Sequence, residues 1–513
     1  IYNIYNIDKT KLVIIKFKLI INYLARGGSK MRVLENLEPK SVFRFFEDLT
    51  RIPHDSGNEK ELSDYLVKFA KDRNLEVIQD EALNVIIKKP ATKGYENVPG
   101  VIIQGHMDMV CEKLKSSNHD FKKDPLKLRI IDDKFVYATD TTLGADDGIS
   151  LAYGLAILDS NNIEHPAIEF VATTEEETVM GGATALDTSL LKGKVLLNID
   201  AEEEGVFIVG CAGGIMAYPE INAEFEDFNG EALKLEISGF KGGHSGMEIH
   251  KQRGNANKLM GRILYALSKE VDFNIASIKG GSKHNAIPQY CQSIITVKKE
   301  DGEKIKEICT DLEKDLKAEY RIGEPDVNLS VKSIGGVEKQ LTKKVTDDVT
   351  RFLVLVPDGL QSMSKEINGL VESSLNLGIV EMVEDKIKFI IDIRSAVKSK
   401  KIEITNRVEA LCKAIGANMT KDGDYPEWEY EAESKIKDLS IKTYNDLFGI
   451  EPKITALHAG LECGIFKEKM GKEVEIISFG PDIFDVHTAN EHFKIESVER
   501  CYRFLIELLK NMK

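Results

Sequence analysis

Residues 101–108, VIIQGHMD, constrain the chain more than any other stretch. An apolar, β-branched run (Val101, Ile102, Ile103) leads into Gly105, His106 and Asp108. Such a run is expected to form a strand buried on both faces, as in a parallel sheet. Residues two apart on an extended chain point the same way, so His106 and Asp108 would face one point beyond the strand's end. Ligands of open α/β sheets bind there. An imidazole beside a carboxylate suits zinc or a similar divalent ion. A strand followed by a plain polar loop would read the same, so the assignment depends on what other strand ends bring.

Several bring acids. The apolar segment 167–173 runs into Glu175, Glu176 and Glu177, and segment 195–199 runs into Asp200. The turn TTLGADDG places Asp146 and Asp147 before a helix expected at 149–158, and His487 sits in a loop after a strand expected at 475–479. Each has an ordinary use. Asp146 and Asp147 could cap the helix, and the glutamates could form a solvated turn. Gathered at the ends of consecutive buried strands, however, unpaired carboxylates repel, and a cation is the natural compensation. The donors suffice for two ions sharing one carboxylate, each with a histidine and an acid of its own. Two ions about 3.5–4 Å apart acidify a shared water and polarise a carbonyl. The remaining acid would be a general base that later protonates a leaving amine.

The rest of the chain gives these strands a setting. Helices are expected at 39–51 and 58–73, strands at 75–78, 84–88 and 101–104, and a polar connection at 111–135. Strand and helix alternation predicts an α/β fold with a mostly parallel central sheet and covering helices. Near GCAGG at 210–214 the pattern changes. Half-buried strands are expected at 233–237, 277–287, 293–298, 328–331, 375–383 and 386–394, with helices at 255–267, 302–316 and 401–415. These describe an inserted α+β unit with an antiparallel sheet. From about 425 the first pattern resumes, with helices at 434–448 and 496–509. The division expected is 31–213 and 425–513 for the catalytic part and 214–424 for the insert.

The net charge of −15 argues against a nucleic-acid partner. Seven scattered cysteines without a C-x-x-C pair fit a reducing compartment, hence the cytoplasm. Residues 1–30 differ in composition, with six Lys or Arg, one acid and no methionine. They are expected to be a tail or translated upstream sequence, with Met31 as the true start. Lysines at 11, 16 and 18 break the apolar stretch well short of the roughly 20 residues a membrane span needs.

Together the motifs GHMDMV, TTLGADDGI, TEEE with MGG, NIDAEEEG, CAGGI, KGGHSGMEIH, NAIP, HAGLECG and GP-x5-H resemble those of the Xaa-His (aminoacyl-histidine) dipeptidases, from about Met31 to the end. These are di-zinc exopeptidases. The resemblance implies a metallodipeptidase acting on Xaa-His and other dipeptides, with two divalent ions, zinc or else cobalt or manganese. It implies that Asp146 bridges the ions, that His106 and Asp200 complete one, and that Glu177 and His487 complete the other. Asp108 would orient His106 by accepting its free N–H, and Glu176 would be the general base. Glu175–Glu176 is the alternative register. The insert would be a lid. There His244 would stabilise the oxyanion, Arg394 would take the substrate carboxylate, and Asn285 would add a polar contact. His458 and Glu462 would meet the substrate's amino group or side chain. A homodimer and an amidohydrolase of N-acyl amino acids or longer peptides are the remaining expectations.

Overall fold

The apolar runs become the centre of an eight-stranded sheet in the computed structural model, which describes residues 32–513. The expectations for residues 1–30 and for Met31 lie outside the described residues. Along the sheet the strands are Glu76–Gln79, Val85–Lys89, Ile168–Thr173, Val101–His106, Val195–Asn198, Glu475–Ser478, Val206–Cys211 and Lys453–Leu457. The four from Ile168–Thr173 to Glu475–Ser478 pair in parallel, as do the last two. The first two add an antiparallel flank. Val101–His106 and Ile168–Thr173 are buried along their whole length, as expected of apolar runs under helices on both faces.

Helix Ala145–Asp159 is buried from Ala145 to Leu158 and lies against the sheet. Two glycines let it approach. A Cβ on Gly105 would meet Ser150 Oγ at 2.1 Å, and one on Gly154 would meet the Phe170 ring at 2.1 Å. The last helix, Ile495–Asn511, covers the same helix from outside. Tyr153 stacks on Tyr502 at 5.4 Å, and its hydroxyl donates to the Val498 carbonyl at 2.7 Å. The chain after about 425 therefore closes the core that the first part opens.

The connection expected to be irregular at 111–135 holds strand Leu128–Ile131, which pairs with Phe135–Ala138. His492–Lys494 and Ile483–Phe484 extend this into a small four-stranded sheet. Strands of four residues are too short to show a period in sequence. Their pairing with the C-terminal part fixes the loop between Phe484 and His492, which carries His487.

The insert forms an antiparallel sheet of nine strands and a small two-stranded one, Phe225–Asp227 with Lys339–Leu341. In one half the order is Asn328–Gly335, Glu231–Ser238, Cys291–Val297, Phe273–Gly280. The other half continues with Val371–Val383, Lys386–Ser395, Gly213–Asn222 and Asn418–Tyr425, while Gly359–Met363 also pairs with Val371–Val383. Numbered along the chain within each half, the order is 4-1-3-2 followed by its mirror image, 2-3-1-4. The halves join where Lys279 and Gly280 face Glu381 and Val380. Two expectations need correction. The strand expected at 277–287 is Phe273–Gly280, because Gly281, at φ +72°, turns the chain out of the sheet against the Gly378 carbonyl. Helix Lys343–Leu355 was not expected; it seats Leu353 where a Cβ on Gly261 would stand, 2.5 Å away.

Gly154→Ala should destabilise the fold by about 1–3 kcal/mol, the usual cost of overfilling a dense core. Denaturant unfolding checks this; a midpoint equal to the parent's would contradict the close approach to Phe170.

Candidate metal centre and substrate cleft

The strand ends converge as the sequence implied. His106 is the last residue of its strand, and Asp200 follows Val195–Asn198. Asp146 enters its helix with non-helical backbone angles, and Glu175, at φ 53°, turns the chain so that Glu176 and Glu177 begin a short helix. His487, at φ 61°, projects from the loop of the small sheet. Asp146 stands between the two histidines. Its Oδ1 is 3.0 Å from His106 Nε2 and its Oδ2 3.2 Å from His487 Nε2. Glu177 lies 3.0 Å from His487 Nε2, and Asp200 3.8 Å from His106 Nε2. The donor atoms of His106, Asp146 and Glu177 all lie within 4.8 Å of one another, as do those of His106, Asp147 and Asp200. Nitrogen and carboxylate oxygen at these separations suit a divalent ion, which would replace the direct contacts between donors.

Asp108 does more than the sequence implied. The nearer acceptor for His106 Nδ1 is the Asp108 backbone carbonyl, at 2.9 Å; the carboxylate is 3.6 Å away. That carboxylate instead accepts the backbone N–H groups of Glu176 (2.9 Å) and Glu177 (3.1 Å) and the Ser56 hydroxyl (2.7 Å). It thus fastens the glutamate turn to the end of the His106 strand. Asp147 accepts the His106 backbone N–H at 3.1 Å.

The acids share a buried space and repel. Burial raises Asp200, with Asp147 adding to the effect, and burial also raises Glu177. Burial pushes Glu176 up to about 8. Burial alone would raise Asp146 too, but hydrogen bonds from His106 and His487 outweigh it and hold Asp146 well below the usual range. His106 would be lowered by burial; Asp108 and Asp146 outweigh that and raise it. Contacts with Asp146 and then Glu177 lift His487 to about 11. Both histidines are therefore protonated in the metal-free chain at neutral pH.

Of the donors, Asp200 lines a cleft of about 630 Å³ between the catalytic part and the insert. Asp200, Glu202 and Phe484 line one side, Gly246, Met247 and Val371 the other, and His458 sits at the junction. His458 Nε2 is 2.7 Å from the Ser374 hydroxyl of the insert. Burial lowers His458 to about 3, so its ring is neutral.

The insert's own candidates form a second cluster. His244 Nδ1 accepts the N–H groups of Gly246 and Met247, each at 3.1 Å. In a neutral ring the proton is then on Nε2, free to donate. The Asn285 carbonyl accepts the Ser245 N–H at 2.9 Å, and His244 and Asn285 line a separate cavity of about 770 Å³. Arg394 is buried and largely engaged: Asp392 takes its Nε at 3.0 Å and Nη2 at 2.9 Å, and Nη1 reaches the Tyr425 hydroxyl at 3.0 Å. Glu462 departs from expectation. It is fully buried beneath the donors, where its Oε2 accepts Gln104 Nε2 at 2.6 Å and the Thr173 hydroxyl at 2.7 Å. Asn198 extends this network through Gln104 at 2.7 Å. Sequence reading missed the network because Gln104, Thr173 and Asn198 look like ordinary strand residues.

A metal must displace the protons held by His106 and His487, so its apparent affinity should climb with pH through the neutral range and keep climbing until His487, lifted to about 11, has lost its own proton. Calorimetric titration of chelator-stripped protein near pH 6.5, in buffers of different ionisation enthalpy, should show proton release. A binding enthalpy independent of buffer would contradict the proton-loaded site.

Residues 235–324 match the family model of the peptidase dimerisation domain. The cytosol non-specific dipeptidase of Escherichia coli (strain K12) is 38% identical over 484 residues, covering 94% of this chain and 99% of that protein. The crystal structure of aminoacylhistidine dipeptidase from Vibrio alginolyticus superposes with TM-score 0.87 at 36% identity, covering 93% of this chain and 97% of that one. A Staphylococcus aureus tripeptidase at 17% identity and TM-score 0.54, covering 93% of this chain and 99% of that one, shares the fold. Among the described residues no helix is long and apolar enough to cross a membrane. With likeness on this scale along almost the whole chain, the protein belongs to the aminoacyl-histidine dipeptidase family of M20 metallopeptidases.

Proposed function

We propose that this chain hydrolyses dipeptides with a free amino terminus, Xaa-His among them, at the cleft between its catalytic part and its lid. The observation that carries the reading is Asp146 set between His106 and His487, with Glu177 and Asp200 outside them. Two divalent ions, zinc by preference, would be held by His106, Asp200 and Asp146 and by Asp146, Glu177 and His487. When bound they would supply Lewis-acid polarisation of the scissile carbonyl and of a water.

The chain's own groups do the rest. Glu176, raised like Glu177 and Asp200, makes no side-chain ion pair among the described residues, as suits a base tuned toward neutral pH. It takes the proton of the attacking water and passes it to the departing nitrogen. Asp108 holds Glu176 and Glu177 in place through their backbone N–H groups. His244, protonated on Nε2, would donate to the oxyanion. Arg394, oriented by Asp392 and Tyr425, would take the substrate carboxylate, with Asn285 beside His244. The match to the dimerisation domain supports a homodimer, and the name of the Escherichia coli relative supports the cytoplasm.

Metal-reconstituted protein should cleave β-Ala-His and Gly-Gly and leave their N-acetylated forms intact. Preferential cleavage of the acetylated forms would favour an N-acyl amidohydrolase instead. Glu176→Gln should keep metal content near the parent's while turnover falls by at least the roughly 10²–10⁴ typical of lost acid–base catalysis. Glu177→Gln should lose metal. If Glu175→Gln shows the catalytic loss and Glu176→Gln the metal loss, the register moves by one residue; near-parent turnover of Glu176→Gln ends the assignment.

A further inference from the structure

Glu491 lies four residues beyond His487 and takes no part in the chemistry described above. Its carboxylate is buried, and four consecutive backbone N–H groups converge on it. Leu143 and Gly144 donate to Oε2 at 2.7 and 3.0 Å, and Ala145 and Asp146 to Oε1 at 2.7 and 3.4 Å. Gly144 makes this convergence possible. Its φ of +66° turns the chain, and a Cβ there would meet Met109 Sδ at 2.8 Å. Successive N–H groups in such a turn form a concavity that suits an anion.

The far end of the loop is also fixed. The Thr488 hydroxyl donates to the Asp485 carbonyl at 2.7 Å and accepts the Asn490 N–H at 3.1 Å, while the Glu491 N–H reaches the Thr488 carbonyl at 3.1 Å. His487 is thus displayed from a short closed loop whose one buried anchor is locked onto the loop of Asp146. His487 Nε2 and Asp146 Oδ2 stand 3.2 Å apart as a result.

We propose that Glu491 is a positioning residue for the metal centre: it pins the Asp146 loop to the His487 loop and so sets the separation of two donors to the same ion. This rests on reading Asp146 and His487 as ligands. A helix cap alone would need only one or two acceptor contacts; here one carboxylate spans every N–H from Leu143 to Asp146 and links them to a second ligand loop. A glutamine of the same shape replaces one acceptor by an NH₂ group that faces N–H donors, which should open the junction.

The test compares Glu491→Gln, Glu491→Asp and Asp146→Asn with the parent. Zinc affinity is measured by competition with a chromophoric chelator, apo stability by thermal unfolding, and kcat and KM on Gly-Gly at saturating zinc. For Glu491→Gln we expect a folded apo protein, at least tenfold weaker binding of one ion, and at least a tenfold loss of kcat with KM within threefold of the parent's. Zinc affinity and kcat both within twofold of the parent would overturn the proposal. So would a lowered apo melting temperature with unchanged zinc affinity, which is the signature of a purely structural cap. If Glu491→Gln does not fold, Glu491→Asp, whose carboxylate is withdrawn by one methylene, is judged by the same criteria. Failure of both to fold assigns Glu491 to the fold and overturns the proposal. Parent-like zinc binding by Asp146→Asn would instead overturn the ligand reading on which it rests.

Discussion

Mutual repulsion among buried carboxylates is the constraint around which this molecule is arranged. Asp146, Asp147, Glu176, Glu177 and Asp200 meet at the ends of buried strands with two histidines among them. At an effective dielectric near 20, two like charges about 4 Å apart repel by about 4 kcal/mol. A hydrogen bond to a charged group returns only about 1.5–3 kcal/mol. Local hydrogen bonds therefore cannot settle such a group. Divalent cations would do so, and the protons they displaced would tie metal binding to pH.

Such a cluster needs a rigid frame, and other carboxylates supply part of it. Asp108 gives its oxygens to the glutamate turn, Glu491 to the Asp146 loop, and Glu462 to Gln104 and Thr173 below the site. Each lies near the reacting region, yet its visible work is to accept N–H or O–H groups from elements that carry the donors. Backbone N–H groups at the ends of strands and helices have no partners within their own element, so an acid arriving from another segment can satisfy and fasten them at once.

The lid is built on a different principle. Its two halves repeat one strand order in mirror image across a single continuous sheet. The polar cluster of His244, Asp392, Arg394 and Tyr425 is prepared away from the acids, with the His244 proton directed to Nε2 by two backbone N–H groups. His458, joined to Ser374, is one of the points where the two parts touch, as is the Lys398–Glu468 ion pair. The lid offers hydrogen-bond donors, and the floor of the catalytic part offers carboxylates.

Sequence by itself determined the elements with strong periods. The buried strands around His106, Glu176 and Asp200, the long helices and the antiparallel insert all follow from local apolar pattern, because burial on one or both faces imposes that pattern on consecutive residues. Donor types were legible for the same reason: an acid or histidine at the end of an apolar run stands out. What only the tertiary structure decided depends on segments far apart in the chain. The short strand Leu128–Ile131 belongs to a sheet completed from the C-terminal part, and four residues are too few to show a period. The resemblance implies a substrate contact for Glu462, but a motif carries a residue's identity and not its depth, and the fold buries Glu462 against Gln104 and Thr173. The backbone carbonyl of Asp108 as partner of His106, and Glu491 under a loop nearly 350 positions earlier, could not be read at all. A residue's type is local, whereas the unpaired N–H or C=O group it will meet is created only when the chain folds back on itself.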